Sequence, residues 1–267
     1  MGKFYEALRK SETTNRQPPP MLLPKNVVKI SPETNDKSPL SRGTMDPRLV
    51  SFMESDSLAA ECFKMLRVMI LTTNPGSTPR TIMVTSAQPM EGKTIVAANL
   101  AISIAQGINE YVLLVDCDLR RPSMGTIFGL NAGEGICEYL EKGTSLTPYL
   151  MKTPIKKLSL LPAGKPPSNP SELLSSEKMR RLVEELRGRY EDRYIIFDGA
   201  PAQYASETTF LTSMVDTVLL VVRSGTSAKD QILETVEKIG RKKILGVVFN
   251  ASNESAKDYS NYYRYYR

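Results

Sequence analysis

The sequence predicts an α/β fold built on a doubly wound, mostly parallel sheet. The first observation is that short apolar runs alternate with segments of helical periodicity from residue 80 to residue 250. The second is that most of these runs are apolar throughout, as in parallel strands buried on both faces. The predicted strands cover 80–85, 111–118, 158–162, 194–198, 216–222 and 244–250.

Composition limits the classes of function. The chain has 267 residues, of which 41% are hydrophobic, and a net charge of +6. It can therefore form one large domain, and no nucleic-acid partner is expected. Histidine is absent, which excludes Ser-His-Asp and Cys-His catalysis and histidine metal sites. Three cysteines without Cys-x-x-Cys spacing, and no apolar run of membrane-spanning length, indicate a cytoplasmic protein that does not cross the membrane itself.

The chain before residue 55 is predicted to lie outside the main domain. A short amphipathic helix is predicted within 1–15, with Phe4, Ala7 and Leu8 on one face. It is either a docking helix or a frayed terminus. Residues 16–54 are rich in Pro, Ser and Lys and predict a disordered linker, because this composition cannot bury a core. The domain is predicted to extend from 55 to 256.

A helix is predicted to begin near Ser55, and three charged residues follow one shoulder of it. Glu61, Lys64 and Arg67 recur at positions i, i+3 and i+6. From the residues alone this pattern is either a solvated charged edge or an interaction surface.

Residues 86–94 (Ser-Ala-Gln-Pro-Met-Glu-Gly-Lys-Thr) follow the first strand and lead into a helix predicted over 95–106. This strand–loop–helix unit resembles a phosphate-binding loop, in which backbone N–H groups surround phosphate oxygens at a helix N-terminus. Gly92 permits close approach of the backbone, Lys93 adds a positive charge, and Thr94 offers a hydroxyl to Mg²⁺. Ala87 stands in place of the first glycine. The predicted nucleotide-binding residues are Gln88, Pro89, Met90, Glu91, Gly92, Lys93, Thr94, Ile95 and Asn250.

Three carboxylates are predicted beside this loop, because the carboxyl ends of parallel strands meet at one edge of the sheet. Asp116 and Asp118 end the second strand, and Asp198 ends the strand at 194–198 in a Walker B pattern that holds Mg²⁺. The first two acids, followed by Arg120 and Arg121, are alternatively a self-neutralising turn. Asn250 ends the last strand and is either an adenine contact or a loop cap.

The segment 257–267 holds five of the chain's twelve tyrosines: Tyr259, Tyr262, Tyr263, Tyr265 and Tyr266. They lie on a polar segment without apolar periodicity, so a core role is not expected. The tail is either a set of phosphoacceptors or a partner-binding segment.

Three motifs and this tail together resemble the bacterial tyrosine kinases of polysaccharide export and chain-length control. The motifs are the loop at 86–94, Leu-Leu-Val-Asp-Cys-Asp-Leu-Arg-Arg-Pro at 113–122, and Ile-Ile-Phe-Asp at 195–198. The resemblance extends from residue 56 to the C-terminus. The Asp-x-Asp-Leu-Arg-Arg-Pro segment is its most specific part.

The resemblance implies an ATP- and Mg²⁺-dependent autokinase on a MinD-like P-loop fold, which phosphorylates its tail tyrosines in trans. Lys93, Asp116, Asp118 and Asp198 would be catalytic, with Asp116 the candidate base, and Thr94, Asp116 and Asp198 would hold the metal. In this family the activating transmembrane protein is either fused to the kinase or separate. Because this sequence has no apolar run of membrane-spanning length, a separate activator of the Wzz-like chain-length type is expected, which recruits the kinase to the inner face of the plasma membrane.

The Glu61, Lys64, Arg67 series resembles the family's Glu-x-x-Arg-x-x-Arg helix, which mediates ring-like self-association. Here Lys64 replaces the first arginine and loses its planar fork. Met90 stands where the family has glycine, Gly199-Ala200 where it has Ser-Pro, and Glu207 where it has aspartate.

Two rival interpretations remain. The first is a ParA/MinD-type ATPase switch, but those proteins carry a signature lysine at the loop position that Gln88 occupies here. The second is a nucleotide-binding regulator without kinase activity, against which intact Lys93, Thr94, Asp116 and Asp198 argue.

Overall fold

The computed structural model describes residues 27–29, 45–72, 78–142, 145–189 and 193–252. The predicted helix within 1–15, most of the predicted linker and the tyrosine tail lie outside these residues. The strands of the described chain are β1 (Val27–Lys29), β2 (Thr81–Ser86), β3 (Tyr111–Cys117), β4 (Met151–Lys152), β5 (Leu158–Leu161), β6 (Arg193–Gly199), β7 (Thr217–Arg223) and β8 (Ile244–Asn250).

These strands form one sheet in the order β1-β8-β7-β2-β6-β3-β5-β4. Every strand pair in it is parallel except the short β4–β5 edge, which is antiparallel. The predicted doubly wound, mostly parallel α/β fold is therefore confirmed.

Helices connect the strands and cover both faces of the sheet. Their bounds are α1 (Val50–Met53), α2 (Leu58–Thr72), α3 (Lys93–Ala105), α4 (Met124–Ile127), α5 (Ile136–Lys142), α6 (Pro170–Leu174), α7 (Glu177–Arg189), α8 (Ser206–Met214) and α9 (Lys229–Ile239), with short 3₁₀ turns at Thr147–Tyr149 and Arg241–Lys243. Within the described ranges, no helix is long and apolar enough to cross a membrane.

The apolar strands are explained by two hydrophobic cores, one on each face of the sheet. Ile82 of β2 belongs to the core that includes residues of α2 and α3. Its neighbour Met83 belongs to the opposite core, with residues of α7 and α8. Successive side chains of a strand point to opposite faces, so a strand covered on both faces is apolar at nearly every position.

The structured part of the chain begins before the predicted boundary at residue 55. Leu49 is fully buried, and the backbone N–H of Ser51 donates to Asn99 Oδ1 on α3 at 2.9 Å. The side chain of Asn99 in turn donates to the carbonyl of Arg48 at 2.9 Å. The end of the predicted linker therefore packs on α3, and β1 adds a parallel strand beside β8.

Candidate nucleotide site

The predicted site residues meet at the carboxyl edge of the sheet. The loop at 87–92 follows β2, and Asp116 and Asp198 are register partners on the neighbouring strands β3 and β6. Because β6 lies between β2 and β3, both acids lie close to the loop. This is the edge at which open α/β sheets bind ligands.

The loop leads directly into α3, which begins at Lys93, two residues before the predicted start. Gly92 adopts φ 90°, and a Cβ atom there would lie 2.2 Å from Asn250 Nδ2. Both observations require glycine, since L-residues rarely adopt this conformation. Met90 has φ 66° without being glycine, and its side chain is 82% exposed.

Lys93 lies among acids rather than in open solvent. Its Nζ atom is 2.7 Å from Asp118 Oδ2 and 3.8 Å from Asp198 Oδ1. It also donates to Thr94 Oγ1 at 3.1 Å. Burial alone would lower the pKa of Lys93, but the attraction of Asp198 and Asp118 raises it overall. Lys93 is therefore a fixed positive charge at the start of α3.

Asp116 is held by backbone donors. Its Oδ1 accepts from the N–H of Asp118 at 3.1 Å, and its Oδ2 accepts from the N–H groups of Ser123 at 3.3 Å and Met124 at 3.1 Å. Burial, followed by the charge of Asp198, raises the pKa of Asp116 to about 7. A carboxyl group with this pKa can exchange a proton near neutral pH.

Asp198 is buried, and in the part of the chain that the structure describes neither of its carboxylate oxygens accepts a hydrogen bond of ordinary geometry, although Lys93 Nζ lies 3.8 Å from Oδ1. Burial raises the pKa of Asp198 to about 6, although Lys93 and the nearby Thr94 hydroxyl lower it. A buried carboxylate with so few donors fits a cation. Together with the Thr94 hydroxyl and Asp116, it offers the oxygen ligands that Mg²⁺ prefers.

The described residues contain no group of three or more His, Cys, Asp or Glu side chains arranged to hold a metal ion. This does not conflict with a Mg²⁺ site, because Mg²⁺ beside a nucleotide commonly uses one or two carboxylates and takes its other ligands from phosphates and water.

Two other predicted nucleotide-binding residues, Asn250 and Gln88, use their side chains for hydrogen bonds within the protein. Asn250 Nδ2 donates to the carbonyl of Glu91 at 2.9 Å. Gln88 Nε2 donates to Gln203 Oε1 at 2.6 Å, and the Tyr204 hydroxyl donates to Gln88 Oε1 at 2.9 Å. The remaining members of the set, Pro89 and Ile95, lie in the loop and the first turn of α3.

Sequence reasoning missed residues that reach the loop from β7. Arg223 donates from its guanidinium to the carbonyl of Met90 at 3.2 Å, and Ser227 donates to the carboxylate of Glu91. No motif marks these residues. Their position in the sequence could have indicated them, because they stand at and just after the end of a buried strand, at the same edge of the sheet as Asp116 and Asp198.

The predicted self-association residues lie on α2, away from the loop. Lys64 Nζ contacts Glu61 Oε1 at 2.5 Å and the carbonyl of Ser55 at 2.9 Å. The Arg67 side chain is not simply a solvated surface charge, because its guanidinium donates to the carbonyl of Ser103 on α3 at 2.7 Å. Part of the Arg67 side chain thus serves the packing of α2 on α3.

This arrangement defines a class. A strand–loop–helix unit with Gly-Lys-Thr, beside three carboxylates at the carboxyl edge of a parallel sheet, is that of P-loop nucleotide-binding α/β proteins.

Comparisons with known proteins narrow the class. A family model described as an AAA domain matches residues 80–246. The tyrosine-protein kinase YwqD of Bacillus subtilis is 33% identical over 226 residues, which cover 84% of this chain and 94% of YwqD. The kinase domain of the Escherichia coli tyrosine kinase ETK superposes with a TM-score of 0.74 at 26% identity, covering 86% of this chain and 91% of that domain.

The fold is also that of MinD from Pyrococcus horikoshii, at a TM-score of 0.55 and 21% identity, covering 66% of this chain and 72% of MinD. The chain belongs to the bacterial tyrosine kinase family, with its AAA-type P-loop domain. The resemblance drawn from the motifs is confirmed.

Proposed function

We propose that this protein is an ATP-dependent protein-tyrosine kinase that phosphorylates its own C-terminal tyrosines in trans and regulates capsule or exopolysaccharide synthesis and export. The observation that carries the proposal is the meeting of Lys93 and Thr94 at the start of α3 with the carboxylates of Asp116, Asp118 and Asp198.

The positions of the site residues support the following roles. Lys93 and the N–H groups of the loop would bind the β- and γ-phosphates and stabilise the charge that develops on the transferred phosphoryl group. Thr94, Asp116 and Asp198 would hold Mg²⁺, which would neutralise phosphate charge when bound. Gly92 permits the close approach of the loop that such binding requires.

Asp116 is the proposed base. A tyrosine hydroxyl has a pKa of about 10 and needs a proton acceptor to attack at neutral pH. Asp116, which lies near the end of β3 beside Asp198, would take the proton as the tyrosine oxygen bonds to the γ-phosphorus. The bond from that phosphorus to the bridging oxygen breaks, and ADP leaves.

Self-association would bring the tail of one copy to the site of another at high effective concentration. An exposed apolar surface on α1 and α2 supports this proposal. Its side chains are 40% to 51% exposed: Phe52, Met53, Met65 and Val68. They lie on or beside the helix that carries Glu61 and Lys64, so apolar contact and charge pairing can contribute to one interface of a ring-like assembly.

A separate transmembrane protein of the Wzz-like chain-length type is the proposed activator, with recruitment of the kinase to the inner face of the plasma membrane. The family membership supports this proposal, and the N-terminal arm before residue 45 is the candidate tether. Co-purification from membranes of the full chain, compared with a chain that begins at residue 45, tests it. Equal membrane recovery of both would argue against the arm.

The kinase proposal is tested by incubating the purified protein with Mg²⁺ and ATP and mapping phosphate by mass spectrometry. We expect phosphotyrosine at Tyr259, Tyr262, Tyr263, Tyr265 or Tyr266. A Lys93→Met variant should lose it, and a chain ending at residue 256 should lack the acceptors while still binding nucleotide.

Nucleotide hydrolysis without phosphotyrosine, even with the membrane partner supplied, would instead support an ATPase switch. Phosphate that persists in Lys93→Met would reveal a contaminating kinase.

A further inference from the structure

Glu91 is a buried acid inside the loop that must accommodate phosphate. Only 1% of its surface is exposed. Its Oε2 accepts from the backbone N–H of Gln88 at 2.6 Å, which closes the loop upon itself. Its Oε1 accepts from the backbone N–H of Arg223 at 3.3 Å and from the hydroxyl of Ser227. The carboxylate of Glu91 therefore links the backbone of Gln88, within the loop, to Arg223 at the end of β7 and to Ser227 just before α9.

The backbone of the loop is tied to the same region. The carbonyl of Glu91 accepts from Asn250 Nδ2 at 2.9 Å, at the end of β8. The carbonyl of the preceding Met90 accepts from the guanidinium of Arg223 at 3.2 Å. Bonds from the ends of two further strands thus hold the loop over the carboxyl edge of β2, in addition to its covalent links to β2 and α3.

We propose that Glu91 is a positioning residue, whose carboxylate holds the loop's N–H groups in their phosphate-binding orientation by anchoring the loop to Arg223 and Ser227. This inference rests on the nucleotide-binding part of the proposed function. Glu91 does not contact phosphate through its side chain, because that side chain points into the protein. It acts through the loop amides.

A neutral amide of the same shape cannot replace the carboxylate. Both oxygens of Glu91 accept from N–H or O–H donors, whereas glutamine has one oxygen and one NH₂ group. In either orientation a Glu91→Gln side chain would place its NH₂ against a donor, so at least one bond to the loop or to the β7–α9 segment is lost. A buried donor left without an acceptor is strongly unfavourable.

The alternative is that Glu91 is a negative charge near a site for anions, with no other influence on it. The two roles predict effects of opposite sign. If Glu91 acts only as a nearby negative charge, its removal strengthens the binding of a nucleotide triphosphate. If Glu91 anchors the loop, its removal disorders the loop amides and weakens that binding.

The test measures Mg²⁺–ADP and Mg²⁺–ATP binding by calorimetry on the full chain, together with the thermal unfolding of each variant without nucleotide. We expect Glu91→Gln to weaken nucleotide binding about tenfold. Ser227→Ala should weaken it several-fold, and should have little further effect in the Glu91→Gln background because Ser227 acts through Glu91. Glu184→Gln, an exposed acid on α7, is the control and should bind as the wild type does.

Unchanged or stronger binding in folded Glu91→Gln would overturn the inference. If that variant does not fold, Ser227→Ala decides, since unchanged affinity there contradicts an anchoring role. A wild type that binds nucleotide but forms no phosphotyrosine would defeat the kinase proposal and leave this inference to be decided by the affinities. A wild type that binds no nucleotide would defeat both.

Discussion

The Nζ atom of Lys93 lies 2.7 Å from Oδ2 of Asp118 and 3.8 Å from Oδ1 of Asp198. The lysine that the sequence assigns to phosphate therefore already forms an ion pair with a carboxylate directly after β3. Asp118 competes with phosphate for this charge, and it also fixes the position from which the charge acts.

Asp118→Asn tests this relationship. The variant removes the ion pair and one negative charge near the phosphates, so we expect about two- to threefold tighter Mg²⁺–ATP binding. Phosphotransfer should fall about tenfold or more, because Lys93 is no longer held in place. Calorimetry and a phosphotyrosine assay measure the two effects. Asp56→Asn, at an exposed position, is the control, and a parallel fall in binding and transfer would contradict the prediction.

The pH dependence of stability should reveal the buried acids. Burial raises the pKa of Asp116 to about 7 and that of Asp198 to about 6, from the usual aspartate value of 3.8. The folded state thus binds these protons more tightly than the unfolded state. The resulting stability is full below the unfolded pKa and is lost as the pH rises through the folded pKa values.

We therefore expect the free energy of unfolding of the wild type to fall, relative to that of Asp116→Asn, from about pH 4 to about pH 7. Denaturation at several pH values measures the difference. Mg²⁺–ADP affinity should rise over the same range, since the metal requires ionised carboxylates. A pH-independent difference between the two proteins would show that Asp116 titrates normally.

Gly92 provides a test of loop geometry. Gly92→Ala would place a Cβ atom 2.2 Å from Asn250 Nδ2 on a backbone with φ 90°, so we expect a loss of about 1–3 kcal/mol of stability and weaker nucleotide binding. Adding Asn250→Ala should restore part of the loss, because it removes the clash but not the strain. Chemical denaturation measures both.

Gly188→Ala is the matched control for Gly92→Ala. A Cβ atom there meets nothing within 4 Å, and the residue lies in α7, so the change should stabilise the protein by about 0.5–1 kcal/mol. Equal effects at the two glycines would contradict the structure.

Substitutions of the charged residues of α2 should have two kinds of effect, one on stability and one on self-association. Arg67→Ala loses the bond to the Ser103 carbonyl and should cost about 1 kcal/mol of stability. Glu61→Ala and Lys64→Ala break a partly exposed pair. Each change should cost less than about 0.5 kcal/mol of stability, yet lower the oligomer mass in analytical ultracentrifugation. Self-association that survives both of the latter changes would place the interface elsewhere.

Arg120 and Arg121 are adjacent in sequence, but their substitution by alanine should affect stability differently. Arg120 contacts buried Glu207 at 2.7 Å, and Ser171 bonds to both residues at 3.0 Å and 2.8 Å. Arg120→Ala should therefore cost about 1–2 kcal/mol of unfolding free energy. Exposed Arg121→Ala should stay within about 0.5 kcal/mol of the wild type. Similar losses in the two variants would show that Glu207 does not depend on Arg120.

Local patterns were sufficient to predict most of the fold. Apolar runs mark strands whatever their neighbours, and Gly-Lys-Thr after a strand predicts a loop at a helix N-terminus. Asp116 and Asp198 were placed together without a structure, because parallel strands align their carboxyl ends at one edge. By contrast, the composition of residues 45–53 predicts a linker. The residues that pack this segment on the domain, such as Leu49, stand singly among polar ones.

The parallel sheet, the loop and the edge at which the acids gather can be predicted from the chain alone, because they depend on residues close together in sequence. The contacts that the side chains make there become known only when the chain is folded. Glu91 turns inward to Arg223 and Ser227, Asn250 bonds to the loop, and Arg67 reaches Ser103. Each of these contacts joins residues far apart in sequence, and its geometry depends on how the strands and helices pack.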